Sequence, residues 1–322
     1  MKRKIVAILG AVAALSVAVA VHAAAPAKKI RVGFFGTICE APLFAAYEQG
    51  FFKEEGLDVE MIRGDANTLR EGLALNKVDV TDGVLMQWIK PIEQGLKVKF
   101  TAGIHTGCIQ ILAGNKTKIR SLKDLAGKRV GVPAIGGGPH NLASRALFTA
   151  GIDPKNGVTW KAFPMSELEL ALEKGEIDAI ASADPIAQII VDKGKARSIL
   201  NSAKTTPYNQ EYCCLVVVNG KFIKEHPDTA AAATRAILKA ARWVSKNPQA
   251  AAKLSVDKKY VPGNPEVNAK ILSGYHYVPS VKGGENAILI AAREMKETGV
   301  LNKSTDVNQL AKFSFQKLKG VE

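Results

Sequence analysis

After one long apolar run, hydrophobic and polar positions along the chain fall into two similar cycles. The run is Ile5 to Val21, which stands behind the basic residues Lys2, Arg3 and Lys4. The first cycle begins with Ile30 to Ile62, which reads as a strand, a polar loop, an amphipathic helix and a second strand. Leu43, Ala46, Tyr47, Gly50 and Phe51 fall at i, i+3, i+4, i+7 and i+8, one stripe of a helix. Pro42 suits the first turn of that helix and Gly56 its stop. Leu57, Val59 and Met61 alternate with polar residues, as in a strand covered on one face. Thr68 and Glu71 have the spacing of a capping box for a helix ending near Lys77. Val78 and Val80 then open a third strand that delivers Asp82 and Gly83 into a loop.

The same βαβαβ order recurs. Arg129 to Pro133 reads as a strand, Ala134 to Gly138 as a glycine-rich loop, and Pro139 to Ala150 as a helix stopped by Gly151. A strand follows at Val158 to Phe163, a helix capped by Ser166 and Glu169 and stopped at Gly175, and a strand at Ile177 to Ser182. Leu73 to Asp79 and Leu170 to Asp178 resemble each other, each a helix end, a Lys and a strand start reaching an Asp. The order predicts an α/β protein with two mostly parallel sheets flanked by helices, in two lobes facing one another over a cleft. Tyr212 to Val218 is a strongly apolar strand, and the chain from Pro227 onward is helical. A helical last third with no sheet of its own should return to the first lobe. The expected division is 1–23 as a leader, 24–115 as the first part of lobe 1, 116–211 as lobe 2, and 212–322 back in lobe 1. The chain would cross between lobes near Gly114–Thr117 and Thr206–Glu211, making a hinge able to close on a ligand.

Composition adjusts this picture at two points. The basic start, the apolar run and the small-x-small pattern Val21-His22-Ala23 make residues 1–23 a secretory signal, cleaved near Ala23. Its removal would take Lys2, Arg3 and Lys4 from a formal charge of +14, leaving +11 on an exported protein. A basic surface suits an anionic ligand, a membrane surface or nucleic acid. Export excludes nucleic acid, and the interspersed acids of Lys53-Glu54-Glu55 read as solvated surface. The chain contains no GxSxG elbow, no HExxH and no dinucleotide fingerprint, so an enzyme is not expected.

Four segments in order carry a family likeness. They are Ala41-Pro42-Leu43-Phe44 through Gly50-Phe51-Phe52 to Glu55-Gly56-Leu57, then Leu122 to Val132, then Gly175-Glu176-Ile177-Asp178-Ala179, then His226-Pro227 before an Ala-rich helix. Together they resemble the periplasmic solute-binding proteins of ABC importers, of the nitrate/sulfonate/taurine type. The resemblance implies a type II periplasmic binding fold and capture of a small solute, with a small anion or organic anion leading. It also implies delivery to an ABC permease with its ATPase subunit, by a periplasmic monomer needing no cofactor. Related folds include pyrimidine synthases with a cysteine-rich iron motif, of which Cys213-Cys214-Leu215 is at most a fragment. A planar heterocycle such as a pyrimidine is the alternative ligand.

The expected binding residues lie at strand ends. In the first loop, Thr37, Ile38, Cys39 and Glu40 precede a helix whose first N–H groups could hold an anion. Glu40 would oppose an anion if it faced the cleft; otherwise it serves the helix start by its charge and points outward. Gly136, Gly137 and Gly138 let backbone approach a ligand, with His140 and Asn141 as donors. His105 and Thr106 sit where the family lines its cleft, Asp82 and Asp184 close corresponding strands, and Tyr212 could stack on a planar ligand. Four cysteines in an exported chain would by default form two disulfides. Cys39, Cys108, Cys213 and Cys214 with His105 and His140 could instead meet at the cleft as soft-metal ligands, though no compact motif assigns one.

Overall fold

The computed structural model describes residues 27–322, so the expected leader lies outside the described residues. Its first sheet is built from β1 (Lys28–Phe34), β2 (Leu57–Arg63), β3 (Val80–Val84), β4 (Val98–Thr106) and β10 (Tyr212–Asn219), in the order β2-β1-β3-β10-β4. The second contains β5 (Ile109–Gly114), β6 (Arg129–Val132), β7 (Thr159–Ala162), β8 (Ala179–Ala183) and β9 (Ala196–Asn201), in the order β7-β6-β8-β5-β9. The two orders match. In each sheet the first three strands of a cycle are parallel, and the strand arriving from the other lobe inserts antiparallel: β10 between β3 and β4, β5 between β8 and β9.

Helices α1 (Ala41–Glu48), α2 (Phe51–Glu54), α3 (Ala66–Ala74) and α4 (Met86–Glu93) serve the first sheet; α5 (Gly138–Thr149), α6 (Leu168–Glu173) and α7 (Ile186–Asp192) serve the second. The chain ends in α8 (Gly220–Glu225), α9 (Pro227–Lys246), α10 (Pro248–Asp257), α11 (Pro265–Ser273), α12 (Val281–Glu297) and α13 (Val307–Ser314). Of these, α9, α12 and α13 pack on β4, so the helical third does return to the first sheet. The internal likeness has a physical counterpart. Asp79 receives Arg31 N, Nε and Nη2 at 2.7–3.0 Å, and Asp178 receives the same three groups of Arg129 at 2.6–2.9 Å. Each pair ties the residue just before a cycle's third strand to its first strand.

Several elements differ from the pattern reading. The first helix is two, because Gly50 takes φ +81 and breaks it between α1 and α2. α3 is capped not by Thr68 but by Asp65, whose carboxylate accepts Asn67 N and Thr68 N, an equally good N-cap. Ser166 caps nothing; it lies in a 3-10 turn before α6. Asp82 and Gly83 are inside β3, not in a loop after it. β5, placed by the pattern in the first lobe, pairs with β8 and β9. The first passage between sheets is therefore at Gly107–Cys108 rather than Gly114–Thr117. Gly107 turns there with φ +58, where a Cβ would overlap the backbone of Ala203.

Candidate functional site

The loops at the C-terminal ends of the parallel strands face one another, the usual place for a ligand in open α/β sheets. They enclose a cleft of about 510 Å³, with Phe35, Arg63 and Val84 on one wall and Gly137, Phe163 and Met165 on the other. The lobes meet around it. Ile38 N donates to Asp184 O at 3.1 Å, Asn141 Nδ2 donates to Met86 O at 2.9 Å, and a Cβ on Gly138 would come within 2.5 Å of Val84 Cβ.

The first loop forms the expected nest of donors, and its own acid occupies it. Glu40 is 1% exposed, and its carboxylate accepts Phe35 N, Gly36 N and Thr37 N, each at 2.7 Å, plus the Thr37 hydroxyl at 3.0 Å. It does not point outward: it lines the cleft while saturating the donors that an anion would use. Burial still lifts its carboxyl to about 7.

Below this loop, four side chains from distant parts of the chain converge. Cys39, His105, Cys108 and Cys214 are all buried, and one ligand atom from each lies within 4.8 Å of the others. Strand register brings His105 and Cys214 side by side on β4 and β10. Cys39 and Cys214 also reach the cleft. Cys213 Sγ is 2.9 Å from Cys108 Sγ but stands outside the four, and all four cysteines are free, not the two disulfides expected by default. His140 is elsewhere, on α5 with its ring 4.5 Å from that of Trp160.

Around the cluster, among the described residues, His105 Nε2, Thr106 Oγ1 and both Asp82 carboxylate oxygens are buried with no hydrogen-bond partner. Burial, with Glu40 and Cys39 adding to it, holds the Asp82 carboxyl well above the usual carboxylate range. Asp184 is fully engaged, accepting Gln110 Nε2 at 2.9 Å, Tyr275 OH at 3.0 Å and Gln188 N at 3.1 Å. Tyr275 stacks on His105 with ring centroids 5.5 Å apart, and Tyr277 OH donates to Cys39 O at 3.1 Å. Neither tyrosine was expected at the site. The available signal was an aromatic pair two residues apart on non-helical backbone, which can face one side together. Tyr212 packs on Gly103 and Gly283 and donates to Val278 O, away from the cleft lining. Asn141 spends its amide on Met86 O and Gly136 O; Gly137 and Gly138 line the cleft, and Gly136 does not.

This architecture and a sequence comparison converge. The NMT1/THI5 like family model matches residues 39–251. The chain belongs to that family. It is 25% identical over 257 residues to the nitrate/nitrite binding protein NrtA of Nostoc sp. (strain PCC 7120), covering 72% of this chain and 58% of that one. The chain thus spans little more than half of the Nostoc protein. It is 26% identical over 239 residues to a putative aliphatic sulfonates-binding protein of Bacillus subtilis, covering 72% and 70%. The periplasmic nitrate-binding protein NrtA of Synechocystis PCC 6803 superposes with a TM-score of 0.78 at 16% identity, over 90% of this chain and 86% of that one. The fold is the type II periplasmic binding fold.

In this chain the strand ends beneath the cleft carry the buried acids Asp82 and Asp184. Burial raises the Asp184 carboxyl from 3.8 to about 6. The folded state thus holds a proton that the unfolded chain has released between about pH 4 and pH 6, so stability falls as pH rises through that window. The full loss is about 3 kcal/mol. In urea denaturation, Asp184→Asn should gain on the parent chain by up to about 3 kcal/mol between pH 4 and pH 7.5. An unchanged difference between the two proteins at both pH values would refute this.

Proposed function

We propose that this chain is an exported solute-binding protein, not an enzyme, that closes on a small organic anion and delivers it to an ABC permease and its ATPase. It would act in the periplasm as a monomer, with no nucleic-acid partner. The observation that carries the reading is the interlobe cleft of about 510 Å³, walled by strand-end loops of both sheets. The relatives described as binding nitrate and aliphatic sulfonates support it.

The walls favour an organic anion over a bare oxyanion. Glu40 already uses the donors of the first loop, while the start of α5, with Gly137 and Gly138 in the cleft lining, offers others. There, Gly138 and His140 precede the first intrahelical bond, which runs from Asn141 N to Gly137 O. Phe35, Phe163 and Met165 would cover an apolar body. The two phenylalanines also favour a second reading, a planar heterocycle. A thermal-shift series with nitrate, an alkanesulfonate and a pyrimidine separates these. The sulfonate should raise the melting temperature by several degrees and nitrate by less. A shift with the pyrimidine alone would move the assignment to the heterocycle, and no shift with any would reject the cleft as their site.

A further inference from the structure

We infer that Cys39, His105, Cys108 and Cys214 form a binding site for one thiophilic d10 cation, Zn(II) or Cu(I), in the base of the first lobe. The inference is independent of which solute the cleft takes. It begins from donor chemistry. Three thiols and one imidazole are a complete tetrahedral set for such a cation, and the set holds no hard oxygen ligand that would favour magnesium or calcium.

The spacing fits. Zinc–thiolate bonds of about 2.3 Å put tetrahedral ligand sulfurs about 3.8 Å apart, and Cys108 Sγ lies 3.7 Å from Cys214 Sγ. The remaining ligand atoms fall within 4.8 Å, so movements of roughly an ångström complete the shell. Cys213, although its Sγ is 2.9 Å from that of Cys108, stands outside the set whose ligand atoms all lie within 4.8 Å of one another.

His105 gives a second, separate indication. Its Nδ1 lies 3.2 Å from Thr106 O, and a carbonyl can only accept, so the ring proton is on Nδ1. In the neutral ring the free lone pair is then on Nε2, which is buried and has no hydrogen-bond partner among the described residues. A neutral imidazole oriented by a backbone carbonyl is the usual second shell of a metal-bound histidine. Tyr275 stacked on the ring fixes its plane, and Tyr277 OH on Cys39 O fixes the backbone carrying the first thiol. An orphaned buried nitrogen costs stability, and a metal bond would remove that cost.

With four protein ligands the shell is closed, as in structural or storage sites rather than catalytic ones. Cys39 and Cys214 line the cleft floor, so the cation can enter and leave from there when the lobes part. Binding converts three thiols to thiolates and releases their three protons to solvent.

The test uses the purified chain, reduced and stripped with chelator. Titration with Co(II), a spectroscopic stand-in for zinc, should give the visible bands of a tetrahedral thiolate complex, saturating at one ion per chain and displaced by Zn(II). Cu(I), supplied from a competing chelator, should compete for the same single site. Cys39→Ser and His105→Gln should each lose or weaken the cobalt signal at least tenfold, while Cys213→Ser keeps it. The spectrum of the unsubstituted chain reports thiolate ligation even where a variant fails to fold. Absence of a thiolate cobalt spectrum in the reduced parent chain would overturn the site. Loss of the signal in Cys213→Ser, with retention in folded Cys39→Ser, would overturn the assigned ligand set.

Discussion

Replacing Arg145 by Met should lower the stability of the fold by about 3–5 kcal/mol at pH 7.5, the range for breaking a buried ion pair from one side. Arg145 is on α5 in the second lobe, with its side chain 10% exposed. Its guanidinium donates twice to Glu211 in the second crossing and reaches Glu294 Oε1 on α12 at 2.6 Å. One cation therefore ties second lobe, hinge and first lobe together, with the Tyr208 ring 4.6 Å beneath it. Methionine retains most of the apolar stem but leaves two half-buried carboxylates facing each other. Burial lifts Glu294 to about 7 against the pull of Arg145. In the variant that carboxyl loses its cation and rises further, so the destabilisation should shrink as pH falls through 7, where the variant's Glu294 holds a proton that the parent's has released, and level off below. Urea denaturation at pH 7.5 and 5.5 checks both size and sign. A loss below about 1 kcal/mol, or one that grows at pH 5.5, would contradict the clamp. Adding Glu211→Gln and Glu294→Gln to the variant should restore much of the loss, because the penalty lies in the stranded charges.

The second large effect is expected at Gly284→Ala. An alanine in a helix interior ordinarily stabilises by about 1 kcal/mol over glycine. Here α12 lies directly on β4, and a Cβ at Gly284 would overlap Gly103 N and come within 2.9 Å of Ala102 C. Those atoms are backbone and cannot rotate away. The bridge between Gly103 and Ser280 holds the two elements at this separation, with Gly103 N to Ser280 O at 2.9 Å. The clash wins, and a net loss of about 2–3 kcal/mol is expected from overpacking. Denaturation of the variant measures it; a stabilised protein would show that α12 shifts freely and that the close approach is not structural. Neighbouring Gly283 makes room for the Tyr212 ring, which explains why a tyrosine expected to meet a ligand packs on the hinge side.

Most of the fold was legible in the chain because its signals are local. Alternation at Leu57, Val59 and Met61 and the stops at Gly56, Gly151 and Gly175 are each written within a few residues. So is the internal likeness that exposed the two cycles, since Asp79 and Asp178 make equivalent arginine pairs. The candidate loops were legible for the same reason, as strand ends. The roles of their side chains were not. Whether Glu40 faces out, meets a ligand or folds back on Phe35, Gly36 and Thr37 depends on a loop conformation that no period encodes.

The sequence by itself determined the α/β class, the two similar cycles, the helical return and the family. These follow from periodicity, capping chemistry and short motifs, which act over one or two turns of chain. Only the tertiary structure decided that the first passage between sheets is at Gly107–Cys108, because a strand's sheet is set by partners far along the chain: Ala179–Ala183 and Ala196–Asn201 for Ile109–Gly114. It alone also separated His140 and Cys213 from the set that joins Cys39, His105, Cys108 and Cys214. Those four are brought together by the pairing of β10 with β4 and by the fold of the first loop over both. Such contacts are made when long loops close, and the pattern of neighbouring residues does not record them.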